Sequence, residues 1–464
     1  MIKKLLSLFL ALLLALSFAG CKEEPITEKG TNSEIHKEHE EVIDDIDWKE
    51  EDYSLIKLDN KVFKSENKNI DYKDGDVAIT KGGTYVLKGY YYGGIVVDTT
   101  EEVNLVLNTV QLFPNGESAI KVQNAKKVNI VIQDDTINTI TDKTVYENEA
   151  GTIMSNIDLY FIGDGDLFIE SASNAILCEK SVILSECSMN IVAELNGIYA
   201  KECIHNKGAS LGIYCEENAL VGIEHIEIDK GYIQVKNAKE GMEGLNIDIL
   251  DGTVDIRSTD DGINGTDKRE GAAVLSSENA KQMPQGEKPK DKPVAKQLPQ
   301  GEIPKDKPVA GHVPVNAENS NAVLNIKGGK VTVNAEGDGI DVNGKIVMSG
   351  GQVIVYGTDN KDDGMIDFDK TFEFTGGTLV CAGQPYMLQR VTSSNKPSIY
   401  VSDFNIPENT DVEITDSKNE KLIEFTNPNS FTTVYMVSDK LKDGGTYNLV
   451  SASKTINNIT AQQQ

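Results

Sequence analysis

Short runs of alternating hydrophobic and polar residues recur through the middle of the chain, each after a glycine turn. Four of them read KGYIQVKN, DGTVDIRS, GGKVTVNAE and GGQVIVYG, and all are rich in Ile, Val and Thr. Alternation with a period of two after a turn residue predicts half-buried β-strands. Because the 3.6-residue period of an amphipathic helix is missing, the pattern favours an all-β protein.

The strands belong to a longer repeat of a polar, a small and an apolar residue. It occurs at Asn174-Ala175-Ile176, Asn196-Gly197-Ile198, Asn218-Ala219-Leu220, Glu240-Gly241-Met242, Asp261-Gly262-Ile263, Asp338-Gly339-Ile340 and Asp363-Gly364-Met365. The successive spacings are 22, 22, 22, 21, 77 and 25. A period near 22 predicts a parallel β-helix with one coil per period. A leucine-rich repeat would need a Leu and Asn frame that this chain lacks, and a propeller blade would need about twice the length.

The polar position of the repeat predicts a column of stacked side chains. Equivalent residues of neighbouring coils lie roughly 4.8 Å apart. Asn174, Asn196 and Asn218 can therefore form a ladder of amide hydrogen bonds, which needs no ligand.

The same column then becomes acidic at Glu240, Asp261, Asp338 and Asp363, and further oxygen ligands follow at Glu243, Asn264, Asp341, Asn343 and Asp367. Stacked like charges are destabilising. A Ca²⁺ ion with Ca–O distances of about 2.3 to 2.6 Å would bridge oxygens of two coils, whereas Mg²⁺ demands a tighter octahedron. The predicted calcium ligands are Glu240, Asp260, Asp261, Asn264, Asp338, Asp341, Asp362, Asp363 and Asp367. The alternative is a solvated row of acidic turns.

The one long spacing, between Asp261 and Asp338, indicates an insert in one coil. After one period is subtracted, the excess corresponds to the stretch from 268 to 321, which contains the Pro-rich segment QMPQGEKPKDKPVAKQLPQGEIPKDKPVA. Such a segment cannot pack a core and is expected to project as a loop or an arm. Its local excess of Lys could contact an acidic polymer or the acidic surface of its own chain.

The repeat has different flanks on its two sides. Upstream segments from VAITKGGTYVLKG onwards predict less regular first coils, as is usual for terminal repeats. Downstream of Ala382 the period disappears, and alternating strands with polar turns predict a small antiparallel β cap over the exposed coil edge. We therefore assign residues 51–382 to the β-helix and 383–464 to a C-terminal β region.

The segment 1–21 has the pattern of a bacterial lipoprotein signal peptide. Lys3 and Lys4 precede the apolar run LLSLFLALLLALSF, and small residues lead to Cys21, the expected lipidation site. The alternative is ordinary secretion with cleavage near Ala19. The polar residues 22–50 predict a tether. We expect an exported protein on the outer face of a bacterial membrane, which it contacts through the lipid alone.

Charge narrows the range of partners. The chain has 464 residues, with 45 Lys and Arg against 73 Asp and Glu, and a formal net charge of −28. Such a chain should repel nucleic acid and anionic membranes, and it favours cations or uncharged partners. We expect a monomer that binds no nucleic acid.

The cysteines and histidines show no local zinc motif. Five cysteines follow Cys21, and an odd number cannot pair completely, so buried free thiols are favoured over a disulfide. The five histidines are scattered, and only His205 and His225 fall within the regular repeat.

Candidate sugar contacts are few. Tyr90 and Tyr92 in KGYYYGG could stack on pyranose rings, while alternation points Tyr91 the other way. The alternative is that one tyrosine packs in the core and its neighbours are simply exposed to solvent. Arg257 lies three residues before Asp260 and is the candidate base for calcium-dependent lyase chemistry, although a structural role on its strand is favoured. Trp48, the single tryptophan, lies in the tether, so no flat platform for crystalline cellulose is evident.

Several segments together resemble a family of bacterial extracellular carbohydrate-binding domain proteins. They are ITKGGTYVLKG, VNLVLNTVQL, the DGI frames, the Pro-rich insert and LKDGGTYNLV, and the resemblance covers roughly Asp74 to Val450. It implies a right-handed parallel β-helix like that of pectate lyases, calcium along the coils, and binding without cleavage of cellulose or acidic plant polysaccharides. Asn196, Asn218 and Glu240 depart from the DG pairs of the family, which implies fewer metal sites.

These observations lead to one functional prediction with two alternatives. The predicted function is calcium-dependent binding of a polysaccharide such as polygalacturonate at the cell surface. A calcium-dependent polysaccharide lyase and a β-helical adhesin that binds no sugar remain open.

Overall fold

The computed structural model describes residues 52–269 and 321–463, apart from 74, 115, 117 and 146–149. The predicted signal peptide with Cys21, the tether with Trp48, and residues 270–320 of the insert lie outside the described residues. Across the described part of the chain, every regular element is a β-strand. No helix in that part is long and apolar enough to cross a membrane.

The N-terminal end is made of two hairpins that join the first coil. Its strands are β1 (Tyr53–Asn60), β2 (Val62–Lys64), β3 (Ile70–Lys73) and β4 (Asp76–Ile79). β1 pairs antiparallel with β2, and β3 pairs antiparallel with β4. β1 also runs parallel to the strand that follows β4 in the chain, so that residues 53–60 lie opposite residues 84–91. The parallel stack therefore begins at Tyr53, upstream of the first coil that the sequence pattern shows.

The coils follow in strict chain order. Their strands are β5 (Gly83–Tyr91), β6 (Ile95–Asp98), β7 (Glu102–Leu112), β8 (Ile120–Asn124), β9 (Lys127–Ile132), β10 (Ile137–Asp142), β11 (Gly151–Ser155), β12 (Leu159–Ile162), β13 (Asp166–Ser171), β14 (Asn174–Cys178), β15 (Val182–Ser185), β16 (Ser188–Ala193), β17 (Ile198–Ala200), β18 (Cys203–Cys215), β19 (Leu220–Asn237), β20 (Met242–Ile249), β21 (Thr253–Ser258), β22 (Ile263–Gly265), β23 (Ala322–Ile326), β24 (Lys330–Ala335), β25 (Ile340–Val342), β26 (Gly344–Met348), β27 (Gln352–Tyr356), β28 (Ile366–Phe368), β29 (Thr371–Phe374) and β30 (Thr378–Gly383).

Each coil contributes a strand or part of a strand to three parallel faces. Face A contains β4, β6, β8, β11, β14, β17, the starts of β19 and β20, β22, β25 and β28. Face B follows in each coil and includes β9, β12, β15, β23, β26 and β29, and face C includes β10, β13, β16, β21, β24, β27 and β30. The solenoid has about 11 turns. The predicted parallel β-helix is thus confirmed.

The interior of the solenoid is a continuous stack of aliphatic side chains. On face A, Ile176, Ile198, Leu220, Met242 and Ile263 are paired in register from coil to coil, and each is fully buried. Full burial of each such side chain is worth roughly 1.5 to 3 kcal/mol. The apolar mark of the sequence repeat is therefore the core position that fixes the register of the coils.

Glycines with positive φ turn the chain from face B to face C. Gly252 (φ 95°), Gly329 (φ 75°), Gly351 (φ 78°) and Gly377 (φ 95°) occupy this corner in consecutive coils. A Cβ on Gly329 would lie 2.7 Å from the carbonyl oxygen of Gly252 in the coil below. Both the left-handed backbone and the close stacking require glycine here, which explains the GG and DG pairs before the strands.

The insert interrupts one coil without shifting its register. β22 precedes the insert and β23 follows it, and Ile263 still pairs with Ile340 on the far side of the insert. The long spacing of the repeat therefore joins neighbouring coils, as the subtraction of one period predicts.

The C-terminal region covers the last coil. Its strands are β31 (Ser393–Ser394), β32 (Pro397–Val401), β33 (Thr410–Asp416), β34 (Lys421–Asn427), β35 (Thr433–Ser438), β36 (Thr446–Ser451), β37 (Thr455–Thr460) and β38 (Gln462–Gln463). β35 runs antiparallel along β30, and four strands form a separate antiparallel sheet in the order β34-β33-β36-β37. A second core packs this region on the outer side of face C around Tyr356 and Phe431. The predicted antiparallel β cap is confirmed.

Candidate cation and glycan sites

The polar column of the repeat lies at the corner that leads into face A. It is called the turn column here and consists of Asn174, Asn196, Asn218, Glu240, Asp261 and Asp338, each two residues before a buried face A residue. Asn196 donates from its backbone N (3.3 Å) and from Nδ2 (2.8 Å) to Oδ1 of Asn174. The backbone N of Asn218 donates to Oδ1 of Asn196 at 3.0 Å. Each side-chain oxygen thus satisfies a backbone donor of the next coil.

Two acidic members of the turn column, Asp261 and Asp338, make the same contact. The backbone N of Asp338 donates to Oδ1 of Asp261 at 2.9 Å, and the backbone N of Gly364 donates to Oδ1 of Asp338. Because the neutral amide of Asn196 accepts this bond equally well, the bond does not account for the negative charge at Asp261 and Asp338.

The structure corrects the register of Asp363. Ile340 pairs with Ile366, so the residue level with Asp338 is Gly364, and Asp363 lies one position earlier. Asp363 accepts a hydrogen bond from Nδ2 of Asn360. An extra residue in this coil causes the shift, which is visible in the sequence as a step of four from Asp363 to Asp367 where the other coils step by three.

A second polar column runs beside the turn column on the outer side of face A. Glu243, Asn264, Asp341 and Asp367 are paired in register across four consecutive coils, and they are called the face A column here. Oδ1 of Asn264 is buried without a hydrogen-bond partner among the described residues. An unpaired amide oxygen between carboxylates has no donor to accept from, which is costly unless a cation sits beside it.

In the first acidic coil, Lys268 compensates the charge of a carboxylate and Asn218 donates hydrogen bonds. Nζ of Lys268 forms an ion pair with Oε1 of Glu243, whose side chain is almost fully buried. Nδ2 of Asn218 donates to Oε2 of Glu240 at 3.1 Å and also to Oε2 of Glu243. Lys268 begins the insert, so the chain folds back over the coil that it has just left, a contact that the repeat pattern did not reveal.

Burial and mutual repulsion raise the pKa values of the carboxyl groups in these columns. The pKa of Asp341 is raised to about 8 by burial and then by Asp261, Asp338 and Asp367. The pKa of Asp338 rises to about 7 and that of Asp261 to about 6, also chiefly through burial. Burial and the charge of Glu243 raise the pKa of Glu240 to about 7. These groups resist ionisation unless a cation compensates them.

The donor atoms of the two columns are the kind that Ca²⁺ prefers. Carboxylate and amide oxygens from neighbouring coils face one another, and Asn264 contributes an unpaired oxygen. In the described part of the chain, however, the group that brings three ligand atoms within 4.8 Å of one another is His205, Glu227 and Asp229, not a set from these columns. The column residues fit a calcium ion by chemistry and position, and their side chains would rotate inward to hold it.

The remaining predicted ligands are Asp260 and Asp362, at the margin of the columns, and Asp367, within the face A column. Asp260 is half-exposed, with Oδ2 3.8 Å from Nζ of Lys239. Asp362 is exposed in the loop before β28. Asp367 is half-buried and accepts a hydrogen bond from Nε2 of Gln389. The structure therefore brings together Glu240, Asp261, Asn264, Asp338, Asp341 and Asp367, and it places Asp260, Asp362 and Asp363 around them.

The tyrosines alternate as their strand predicts, but they lie far from the acidic columns. Tyr91 is fully buried, whereas Tyr90 and Tyr92 are exposed with ring centroids 6.3 Å apart. Tyr92 also stacks on Phe113 at 5.1 Å. The strand that follows these tyrosines, β6, lies on face A six coils away from β20. At the spacing of neighbouring strands, six coils correspond to about 29 Å. One short ligand cannot contact both regions.

Arg257 belongs to a different groove. It is exposed on β21, a face C strand, and lines a cleft of about 240 Å³ together with Asn334, Asp359, Glu408 and Asn429. The cleft lies between the last coils and the C-terminal region. None of the residues that line this cleft belongs to the turn column or the face A column.

The cysteines of the described chain are free thiols. Cys178, Cys187, Cys215 and Cys381 are buried, and Cys203 is half-buried. Burial raises the pKa of the first three and of Cys203 to about 12, and it raises the pKa of Cys381 further. Thiols that stay protonated in this way are unreactive core residues.

Comparison with known proteins relates the solenoid to a described family. A family model described as carbohydrate-binding domain-containing protein matches residues 73–270. The resemblance that the sequence motifs predict is therefore confirmed for this part of the chain. The matched part includes Glu240, Asp261 and Asn264 and ends before Asp338 and Asp341.

Two individual proteins are similar to this chain. A carbohydrate-binding domain-containing protein of Acetivibrio thermocellus is 32% identical over 129 residues, which is 24% of this chain and 45% of the relative. The match thus spans about half the length of that relative. The solved structure of a polysaccharide lyase-like protein from C. thermocellum, a gadolinium derivative, covers 71% of this chain and 94% of its own, with 20% identity and a TM-score of 0.34.

Proposed function

We propose that this protein binds an acidic polysaccharide of the polygalacturonate type through calcium ions held by the turn column and the face A column. The observation that carries the proposal is the set of buried carboxyl groups with raised pKa values around the unpaired oxygen of Asn264. The match to carbohydrate-binding domain proteins supports a sugar as the ligand.

Charge explains why the metal and the glycan belong together. A chain with a net charge of −28 repels a polyuronate unless a cation stands between them. Calcium takes six to eight oxygen ligands, so an ion held by a few side chains of a ladder has positions left for a uronate oxygen. Neutral cellulose gains nothing from such a bridge, which makes acidic glycans the better ligands.

The positions of the basic side chains favour binding over cleavage. Lyase chemistry with a Lys or Arg base needs that side chain deprotonated beside the metal, so that it can remove a proton from the sugar. Burial alone would lower the pKa of Lys268, but its hydrogen bond and charge interactions with Glu243 and Glu240 more than offset burial and raise it. Lys268 therefore stays protonated, and Arg257 lies in the separate cleft.

We also propose export to the outer face of a bacterial membrane with a lipid on Cys21, on the signal-like pattern of residues 1–21. This placement would present the solenoid to extracellular polysaccharides. Radiolabelled palmitate incorporation that disappears in Cys21→Ala is the expected result, and secretion of an unlabelled chain cleaved near Ala19 would contradict it.

The central experiment compares glycan binding with and without calcium. We expect polygalacturonate to bind immobilised protein in Ca²⁺, to dissociate on chelation, and to bind at least about tenfold more weakly to Asp341→Asn, a loss of about 1.4 kcal/mol. Asp359→Asn, in the Arg257 cleft, is the matched control and should bind normally.

Each other outcome points to a different conclusion. Binding that survives chelation would remove calcium from the proposal and leave the sugar. An array with no bound glycan in either condition would support the adhesin alternative. Growth of ultraviolet absorbance from unsaturated products, abolished in Arg257→Ala, would show a lyase.

A further inference from the structure

A second polar cluster lies on face B, away from the acidic columns. His205 on β18 pairs in register with Glu227 on β19, and Asp229 follows Glu227 on the same outward side. No local zinc motif marks these residues in the sequence, because about one period of the repeat separates His205 from the two carboxylates. In this solenoid, that separation places them on neighbouring coils.

The three side chains converge on a common point. Nε2 of His205 is 2.9 Å from Oδ2 of Asp229 and 3.4 Å from Oε1 of Glu227. All three ligand atoms lie within 4.8 Å of one another. Ligands of a tetrahedral zinc ion at about 2.0 to 2.1 Å are about 3.3 Å apart, so the two separations from Nε2 of His205 need changes of only a few tenths of an ångström.

The cluster is partly enclosed but open on one side. The His205 side chain is 11% exposed, while those of Glu227 and Asp229 are 22% and 33% exposed. Oδ1 of Asp229 is buried and has no hydrogen-bond partner within the described chain. An orphaned carboxylate oxygen beside two other ligand groups indicates a site that a cation would complete.

A neighbouring layer lies beside Glu227, one of the three ligands. Oε2 of Glu227 lies 3.8 Å from Nδ1 of His225, and Nε2 of His225 lies 2.9 Å from Oδ2 of Asp248. Nδ2 of Asn325 donates to Oδ1 of Asp248 at 2.8 Å. This layer places an imidazole and a further carboxylate beside Glu227, and such groups commonly surround metal ligands.

We propose that His205, Glu227 and Asp229 bind a divalent transition-metal ion of the Zn²⁺ type, with one coordination position open to solvent. An imidazole nitrogen with two carboxylates suits zinc and its neighbours in the first transition row. Calcium prefers oxygen ligands, so the imidazole separates this site from the acidic columns. The site is independent of the proposed glycan binding.

The test is calorimetric titration of the metal-free full chain with ZnCl₂ in excess CaCl₂. We expect one zinc equivalent that calcium does not displace and that binds at least about tenfold more weakly to His205→Gln. Histidines outside the described residues contribute equally to both proteins, so only the difference counts. Asp341→Asn, in the face A column, should bind zinc like the parent chain.

Three results would overturn the proposal. They are unchanged zinc binding in His205→Gln, displacement of the zinc by calcium, and loss of zinc in Cys203→Ser with retention in His205→Gln, which would move the ion to Cys203 and His225 (Sγ–Nδ1 4.0 Å). If His205→Gln does not fold, anomalous diffraction at the zinc edge from the unmodified protein decides. A peak among His205, Glu227 and Asp229 supports the site, and a map without that peak refutes it.

Discussion

Asp341 shows how one buried carboxyl group links stability to calcium. Its pKa is raised to about 8 by burial and by four neighbouring aspartates, whereas an unfolded Asp titrates near 3.9. The neutral acid is therefore the form that the fold prefers. Above the unfolded pKa the folded chain retains more protons than the unfolded chain, so stability falls as pH rises towards 8.

The first prediction concerns this pH dependence. In chelator, the melting temperature should decrease from about pH 5 to pH 8, because the columns must ionise against one another. Added calcium should raise it more at pH 8 than at pH 5, since the ion binds ionised carboxylates. Differential scanning calorimetry at both pH values measures the effect, and equal calcium shifts at the two would contradict it.

Asp341→Asn provides the matched control for that experiment. Removal of the charge should increase the free energy of unfolding in chelator at pH 8 by roughly 1 kcal/mol, since one pKa unit is about 1.4 kcal/mol. The same variant should respond less to calcium.

Lys268 is the second residue with a predictable effect. Its ammonium group occupies the position of a counter-ion beside Glu243. Lys268→Gln should therefore bind calcium several-fold more tightly in a calorimetric titration, because the ion no longer competes with a tethered cation. Lys327→Gln, near Asp248 on face B, is the control. Weaker calcium binding in Lys268→Gln would show that Lys268 orients the site instead.

Among the elements, the corner before face A depends on residues without a large side chain. Ala175, Gly197, Ala219, Gly241, Gly262 and Gly339 occupy the position next to the turn column in successive coils. A Cβ on Gly262 would lie 2.2 Å from Cγ1 of Val333 and 2.5 Å from the carbonyl oxygen of Gly339. The small residue of the repeat is therefore a packing requirement.

The third prediction follows from that contact. Gly262→Ala should destabilise the protein by about 1 to 3 kcal/mol in urea unfolding, because the added methyl group overpacks the corner. Ala219→Gly, at the equivalent position, should change stability by only about 0.5 to 1 kcal/mol. Equal losses in both variants would indicate that the backbone conformation, not the contact, sets the preference.

The register of these strands explains which parts of the site could be predicted from the sequence. Because strands of successive coils stack, residues one period apart in the sequence are neighbours in space. The repeat spacing alone therefore predicts the ladder of Asn196 and Asn218 and the pairing of Asn264 with Asp341. The DG pattern alone does not predict the displacement of Asp363. One extra loop residue moves the Asp-Gly pair out of register with the turn column, while the following strand keeps its register.

Other contacts depend on side-chain directions that a repeat does not encode. Lys268 lies beyond β22, outside the repeat, and its side chain still reaches Glu243 in the preceding coil. The His205 cluster combines a strand residue with a corner residue of the next coil, so no local motif marks it. The His205 cluster could be found only by comparing residues one period apart on the same face.

For the molecule as a whole, the insert is an addition to a complete coil. Residues on both sides of it keep the same neighbours as in uninterrupted coils, including the hydrogen bond from Asp338 to Asp261. Elsewhere the same connection is only a short turn, as between β25 and β26 or between β17 and β18.

The fourth prediction is that residues 270–320 can be replaced by a short Gly-Ser linker without loss of the fold. The melting temperature should change little, because loop length contributes only weakly to the free energy of unfolding. Circular dichroism melts check this, with Gly262→Ala as the destabilised reference. A fall larger than that of Gly262→Ala would show that the insert stabilises the coils.

The antiparallel strand β35 along β30 has a consequence for growth of the solenoid. A stack of parallel strands is in principle open-ended, since its final rung offers the same unpaired amides and carbonyls as every rung before it. Because β35 runs antiparallel along β30 and its other edge is paired with β32, the face C edge of the last coil is not free to template a further coil. This pairing protects that edge against fibre formation.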